Sequence, residues 1–277
     1  MPVILSDIFG DPNVGIFSFA NEKIAVLPAG ISSKKLDSYR EALGTEACSI
    51  GVADSRLVGV YASGNSNAIL LPYIATEEEI SKIRSTGVRI AIIQEKRTAL
   101  GNLILCNDHG AVVDPRLKPK TVSAIEKALK VPVQTGTIGG LPQVGSLATA
   151  SNKGVLANPI IDESEKRHIA EVLKVPVSVG TVNSGVPYPK SGIVVNSKGA
   201  VVGSHTLGTE LLTVSTVFQT DEVKYGSAFN SHPRGFNHRR SQAVQDHRRP
   251  PKERRKSSLQ ERDPSPQERG RASEPIR

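Results

Sequence analysis

The chain has 277 residues, a net charge of +8 and 38% hydrophobic residues, with only 4% aromatic residues and no Trp. This length allows one large domain or two modest ones, and the core must be built from Val, Ile, Leu and Ala. No apolar run approaches the roughly 18 residues of a membrane span, and residues 1–4 do not resemble a secretory signal. Two Cys cannot form a disulfide framework, although the sequence allows a single bridge between them. We therefore expect a cytoplasmic protein with reduced thiols and no membrane contact.

The positive charge is concentrated at the C-terminal end. Residues 219–277 hold 14 of the 35 Lys and Arg and 8 of the 27 Asp and Glu, so they carry +6 of the net charge of +8. Because this segment has few residues that could fill a core, we expect a disordered tail beyond a domain formed by residues 1–218. The tail is interpreted either as an arm that binds RNA or another acidic surface, or as a solvated extension without a dedicated partner.

An internal repeat of about 44 residues runs through residues 1–218. The string Leu129–Val133 recurs as Leu173–Val177, and Gly136-Thr137 recurs as Gly180-Thr181, both at an offset of 44. One glycine opens each of five units, at spacings of 44, 42, 44 and 47: Gly15, Gly59, Gly101, Gly145 and Gly192. Glycines repeated in this way indicate close backbone approach near a common centre, so we interpret them as structural.

Each unit predicts the same elements in the same order. A short strand follows the glycine, as at Ile16–Phe19, and then come a turn rich in Asn, Ser and Gly and a second strand, as at Lys23–Leu27. A helix follows, with capping-box patterns at 76–79 and 162–165. A third strand, as at Val88–Ile93, closes the unit. The unit is therefore strand-turn-strand-helix-strand.

The fifth unit lacks its closing strand. Its predicted helix ends near residue 217, whereas apolar residues 2–5 precede the first glycine and belong to no repeat. A strand at one terminus that completes a unit begun at the other is a common way for repeat rings to close. We therefore predict an α/β protein in which five repeats form a closed ring with pseudo-fivefold symmetry. Deletion of residues 1–10 is expected to weaken its cooperative unfolding.

These features resemble the pentein-type α/β propeller and, within it, the translation initiation factor 6 family of archaea and eukaryotes. The strings that carry the resemblance are Ala99–Asn102, Cys106–Asp108, Val175–Val177, Gly180–Asn183 and Gly208–Leu211. The resemblance covers about residues 3–218 and not the tail. It implies a non-catalytic protein that binds the large ribosomal subunit on its intersubunit face and sterically prevents association with the small subunit.

The resemblance also implies partners and site residues. The expected partner is a ribosomal protein of the large subunit, with nearby ribosomal RNA as a further contact, in translation initiation and ribosome biogenesis. A monomer without cofactor, metal or small-molecule substrate is implied. The implied ribosome-binding residues are Asn102, Asn65, Asn183 and Arg97. The alternative for Asn102 is an exposed turn residue that stabilises its own backbone.

Two other functions are weighed against this one. Pentein-type enzymes that modify guanidines use a nucleophilic Cys with a His and carboxylates, and the candidates here are Cys48, Cys106 and His109. Both Cys lie in apolar strand patterns typical of inert buried thiols, and the last unit, where those enzymes carry their Cys, has none. We therefore predict no catalytic residue. The other alternative, RNA binding through the tail alone, predicts salt-sensitive affinity that is lost on truncation near residue 218.

Overall fold

The computed structural model describes residues 2–220 and the backbone of one further strand, Glu222–Lys224. That strand begins four residues beyond the predicted domain boundary at 218. Apart from Gln219, Thr220 and this strand, the predicted tail lies outside the described residues. Among the residues that the structure describes, no helix is long and apolar enough to cross a membrane.

Five small sheets, one for each repeat, make up the β structure. The first strands, which line the ring axis, are β2 (Phe19–Ala20), β5 (Ser63–Gly64), β8 (Ile104–Cys106), β11 (Ala148–Ala150) and β14 (Ile193–Val195). Each pairs in antiparallel fashion with a second strand: β3 (Ile24–Leu27), β6 (Ile69–Pro72), β9 (Ala111–Val113), β12 (Val155–Ala157) and β15 (Ala200–Gly203). In four sheets the third strand is parallel to the second: β4 (Glu46–Ser49), β7 (Ile90–Ile93), β10 (Val133–Thr135) and β13 (Val177–Val179).

The N-terminal strand closes the ring, as predicted. In the fifth sheet the parallel partner of β15 is β1 (Pro2–Ser6), with Val3 beside Ala200. The strand Glu222–Lys224, β16, pairs with the other edge of β1, so this sheet has the order β14-β15-β1-β16. Both chain ends of the described region therefore meet in one sheet.

One long helix follows the second strand of each unit. These helices are α2 (Ser33–Leu43), α4 (Glu77–Arg84), α6 (Pro119–Leu129), α8 (Glu163–Leu173) and α10 (Gly208–Phe218). The two predicted capping boxes are confirmed: Thr76 and Asp162 accept from the backbone N–H of Glu79 and Glu165, whose carboxylates accept in return. Each helix buries its apolar face against the sheets, as Ile83 of α4 does at 0% exposure. The core therefore lies between the helices and the sheets.

The predicted strand at Ile16–Phe19 was wrong in its first half. Val14–Phe17 forms a single helical turn, α1, and the strand begins at Phe19. Equivalent turns are α3 (Val58–Tyr61), α5 (Leu100–Leu103), α7 (Val144–Leu147) and α9 (Pro189–Gly192). These turns touch their neighbours in a closed circle, α1 to α3, α5, α7, α9 and back to α1.

Backbone contact between neighbouring turns explains the repeated glycine. A Cβ on Gly59 would overlap the carbonyl oxygen of Gly15, one on Gly101 that of Gly59, and one on Gly145 that of Gly101. A Cβ on Gly15 would overlap the carbonyl oxygen of Lys190. In the fifth unit the equivalent position is therefore Lys190, two residues before the glycine that the spacing suggested.

Candidate functional site

The ring has two faces that differ in composition. The mouth face consists of the one-turn helices and the loops before them, residues 7–13, 50–57, 94–99, 136–143 and 180–188. The turn face consists of the hairpin turns, residues 21–23, 65–68, 107–110, 151–154 and 196–199, with the C-terminal ends of the long helices beside them. The site residues inferred from the resemblance are divided between these two faces.

Asn102 lies on the mouth face, at a cavity on the ring axis. This mouth cavity measures about 370 Å³, and its polar lining includes Asn102, Ser146, Tyr188, Lys190 and Ser191. Asn102 follows Gly101 in α5 and is half-buried. Within the described residues its side-chain amide has no hydrogen-bond partner. The amide is therefore not occupied in stabilising its own backbone, and it is available to a binding partner.

Arg97 shares the mouth face with Asn102. It is exposed in loop 94–99, and its guanidinium lies 3.4 Å from the carbonyl oxygen of Arg116 and 3.7 Å from the carboxylate of Glu95. Four other mouth-face loops contain an isolated β-bridge, as between Val52 and Ser55, whereas none is found in this shorter loop. The shorter loop accounts for the spacing of 42 between two of the repeated glycines.

Asn183 borders the mouth face without presenting its amide there. It lies in loop 180–188 at φ 49°, and its side chain is buried. The amide donates to the carbonyl oxygen of Pro12 at 3.1 Å, and the side-chain oxygen accepts from the hydroxyl of Thr206 at 3.2 Å. Its neighbour Val186 lines the mouth cavity. The side chain of Asn183 therefore fixes the conformation of this loop.

Asn65 lies on the turn face, away from Asn102. It is 2% exposed, and its amide donates to the carbonyl oxygens of Asn107 and Leu129 at 3.1 and 3.0 Å. Asn21 and Asn196 donate to the next unit in the same way, and the bond from Asn196 to Asn21 spans the junction between the fifth and first units. This set of turn asparagines joins neighbouring units, so the amide of Asn65 is used in ring closure.

The capping-box glutamates hold the mouth-face loops as well as the helices. The carboxylate of Glu165 accepts from the backbone N–H groups of Gly139 and Gly140 at 2.6 and 2.9 Å, and Glu210 binds Ser184 and Gly185 in the same way. Partial burial raises the pKa of Glu165, but the hydrogen bonds outweigh that effect and lower it below its ordinary value. The capping pattern indicates a helix start, but not this second contact.

Exposed apolar side chains also mark the mouth face, and no sequence motif indicates them. Phe9, Leu57, Leu141 and Tyr188 are each more than a third exposed. The guanidinium of Arg56 lies 4.8 Å from the ring centroid of Phe9. Apolar groups that share one face with polar groups are typical of a protein-binding surface.

The cysteines do not have the properties of nucleophiles. Burial raises the pKa of both the Cys48 and the Cys106 thiol to about 11, so neither is ionised at neutral pH. The Cys106 thiol donates to the carbonyl oxygen of Gly64 at 3.2 Å, while His109 is exposed on the turn face. Over the described ranges, no group of three or more His, Cys, Asp and Glu could hold a metal ion.

Lys190 is enclosed at the ring axis, between the mouth cavity and a narrower channel behind it. This enclosure desolvates the ammonium and lowers the pKa of Lys190 from 10.5 to about 8. No salt bridge to Lys190 is found among the residues that the structure describes. A charged group therefore occupies the position at which the other four units carry glycine.

Replacement of Lys190 by Met is expected to stabilise the ring below pH 8. The pKa of Lys190 is lower in the folded chain than in the unfolded chain. Between pH 8 and 10.5 the unfolded chain therefore holds a proton that the folded chain has lost, and the stability of the wild type rises with pH. The substitution should raise the free energy of unfolding by at most about 3 kcal/mol, and by less where water in the channel solvates the ammonium. Urea unfolding of both proteins at pH 7 and pH 10 measures it. The gain should shrink at pH 10, and Lys127→Met, at an exposed lysine of α6, should show neither effect.

Comparison with known proteins places the chain among translation factors. The model of the eIF-6 family matches residues 3–217. Translation initiation factor 6 of Methanocella arvoryzae is 45% identical over 205 residues, covering 74% of this chain and 92% of that protein. The protein of the same name from Pyrococcus furiosus is 44% identical over 214 residues, covering 75% and 94%. The one from Staphylothermus marinus is 36% identical over 218 residues, covering 77% and 96%.

A solved structure, the N-terminal domain of an arginine dihydrolase from cyanobacteria, gives a TM-score of 0.42 at 13% identity, covering 68% of this chain and 82% of that one. A likeness this weak supports no statement about function. The family match spans all five repeats, and the relatives carry the name of a translation initiation factor. The chain belongs to the eIF-6 family.

Proposed function

We propose that the mouth face binds the large ribosomal subunit on the surface that meets the small subunit, and so prevents the two from associating. The observation that carries the proposal is family membership over residues 3–217, the whole of the repeat ring. The protein acts as a cytoplasmic monomer, and its partner is a ribosomal protein with nearby ribosomal RNA. No small-molecule substrate takes part.

The structure supports a steric mechanism. The ring is closed by backbone contacts between one-turn helices and by asparagine side chains on the turn face. Carboxylates from the long helices hold the mouth-face loops in place. A preorganised surface of this kind loses little conformational entropy on binding. Because the bound ring occupies the intersubunit surface, the two subunits cannot join while it remains.

Two of the four site residues are suited to direct contact. The Asn102 amide is unpaired and faces the mouth cavity, and Arg97 presents a partly free guanidinium on the same face. In an interface of this kind, the amide and the guanidinium orient the partner through hydrogen bonds, and the exposed apolar groups beside them add affinity. Asn183 positions the loop that borders this contact, and Asn65 stabilises the ring from the turn face.

Replacement of Asn102 by Ala is expected to weaken binding to the large subunit about tenfold, since one buried interfacial hydrogen bond is lost. The measurement is co-sedimentation of the purified protein with isolated large and small subunits, followed by an assay of subunit joining. Gln134→Ala removes an exposed amide from β10, outside the mouth face, and serves as the matched control. Equal loss of binding in both variants would contradict the assignment of the mouth face.

The same assay separates this proposal from RNA binding by the tail. A chain that ends at residue 224 keeps every described strand and helix. It should still bind the large subunit selectively and reduce joining. If only the full chain bound, equally to both subunits and to bare RNA, the tail would be the functional element.

A further inference from the structure

Behind the mouth cavity, a narrow channel runs along the ring axis toward the turn face. It is formed by the first strands of the five units, and its volume is about 50 Å³. Polar groups from Ser63, Cys106 and Thr149 line it together with Lys190. Since a water molecule needs roughly 10–15 Å³ of cavity volume, the channel has room for a few particles of that size.

Lys190 brings a positive charge to this channel, and no acidic side chain of the described part of the chain balances it. No Asp or Glu is among the described residues that line the channel. Among the described residues, the ionisable group that acts on Lys190 is the Cys106 thiol, which is protonated at neutral pH and so carries no charge. Lys190 is half-buried, so its ammonium is only partly solvated, and a counterion would stabilise its charged form.

The carboxylates at the turn-face end of the ring axis, Glu22 and Asp108, have partners of their own. Glu22 accepts from the backbone N–H and the hydroxyl of Ser197 at 2.8 and 2.7 Å. Asp108 accepts from Ser66 at 2.7 Å and from the amide of Asn152 at 2.7 Å. These bonds hold both carboxylates on the turn face. They explain the lowered pKa of Asp108, in which hydrogen bonds outweigh the opposing effect of burial.

We infer that the axial channel binds a small monovalent inorganic anion, chloride in physiological solution, beside the Lys190 ammonium. The volume suits an ion of about the size of a water molecule better than a hydrated oxyanion. Thr149 also lines the channel, and its hydroxyl can complete the coordination, whereas the Ser63 hydroxyl donates to the carbonyl oxygen of Ile104 at 3.4 Å. Lys190 also lines the mouth cavity, but the inference does not depend on the proposed ribosome contact.

Crystals grown from a bromide solution test the site directly. Bromide has the charge of chloride and gives an anomalous signal. We expect a peak in the channel within hydrogen-bond distance of the Lys190 ammonium. Crystals of Lys190→Met grown in the same way should show no peak there. The absence of a peak in the wild-type channel, or an equal peak in the variant, would overturn the inference.

Thermal unfolding at pH 7 provides a second test in solution. When chloride replaces gluconate at constant ionic strength, the melting temperature of the wild type is expected to rise by about 2–4 °C. Lys190→Met should show no chloride-dependent rise, whereas Lys127→Met should respond like the wild type. An equal response in all three proteins would reveal a general salt effect and contradict a site at Lys190. A response to sulfate but not to chloride would contradict the choice of ion.

Discussion

A chain that lacks residues 1–10 is expected to lose the cooperative unfolding transition of the ring. These residues supply β1, which lies between β15 and β16 rather than at a sheet edge. Its Val3 is fully buried in a cluster with Leu211 and Phe218. Deletion removes those contacts and exposes the edge of β15, so we expect a loss of about 5 kcal/mol or more, comparable with the whole stability of many domains. Circular dichroism during thermal unfolding is the measurement.

The control for this deletion is the chain that ends at residue 224. It keeps β1 and β16, so its main transition should remain sharp. A synthetic peptide of residues 1–10, added in excess to the deleted chain, should restore part of the transition because it binds the folded ring in preference to the unfolded chain. An unchanged melting curve for the deleted chain would show that the ring does not need its N-terminal strand.

The second large effect is expected at the contacts between one-turn helices. In Gly59→Ala the new Cβ would overlap the carbonyl oxygen of Gly15 and lie 2.5 Å from that of Ser18. Both neighbours are backbone atoms, so relief requires two units to move apart. We expect a loss of about 3 kcal/mol or more, the upper range for overpacking, and a melting temperature lower by roughly 10 °C.

Gly208→Ala is the matched control for this substitution. Gly208 is the first residue of α10, and an added Cβ would meet nothing within 4 Å. Because Ala favours helix over Gly, the control should be neutral or slightly stabilising. Similar destabilisation in both variants would mean that loss of glycine flexibility, and not backbone contact between units, explains the result at Gly59.

The five-unit ring and the family could both be predicted from the amino-acid sequence alone. Periodic signals are local and repeated, so one strong pair of strings, such as Leu129–Val133 and Leu173–Val177, was enough to set the period. The unclaimed apolar residues 2–5 then predicted closure, and β1 confirms it. Capping boxes at Thr76 and Asp162 were equally readable, because they depend on residues three positions apart.

Which of the site residues lie together depends on how the five units pack against one another. Asn65 and Asn102 both follow a glycine in the sequence, yet Asn65 is buried in a hairpin turn on one face, and Asn102 opens onto a cavity on the other. The sequence also placed the fifth unit's axial residue at Gly192, whereas the fold puts Lys190 there. Both outcomes depend on contacts between units about 44 residues apart, as between Asn65 and Asn107, which no local pattern encodes. Side-chain direction and burial at the axis arise only once all five units have closed.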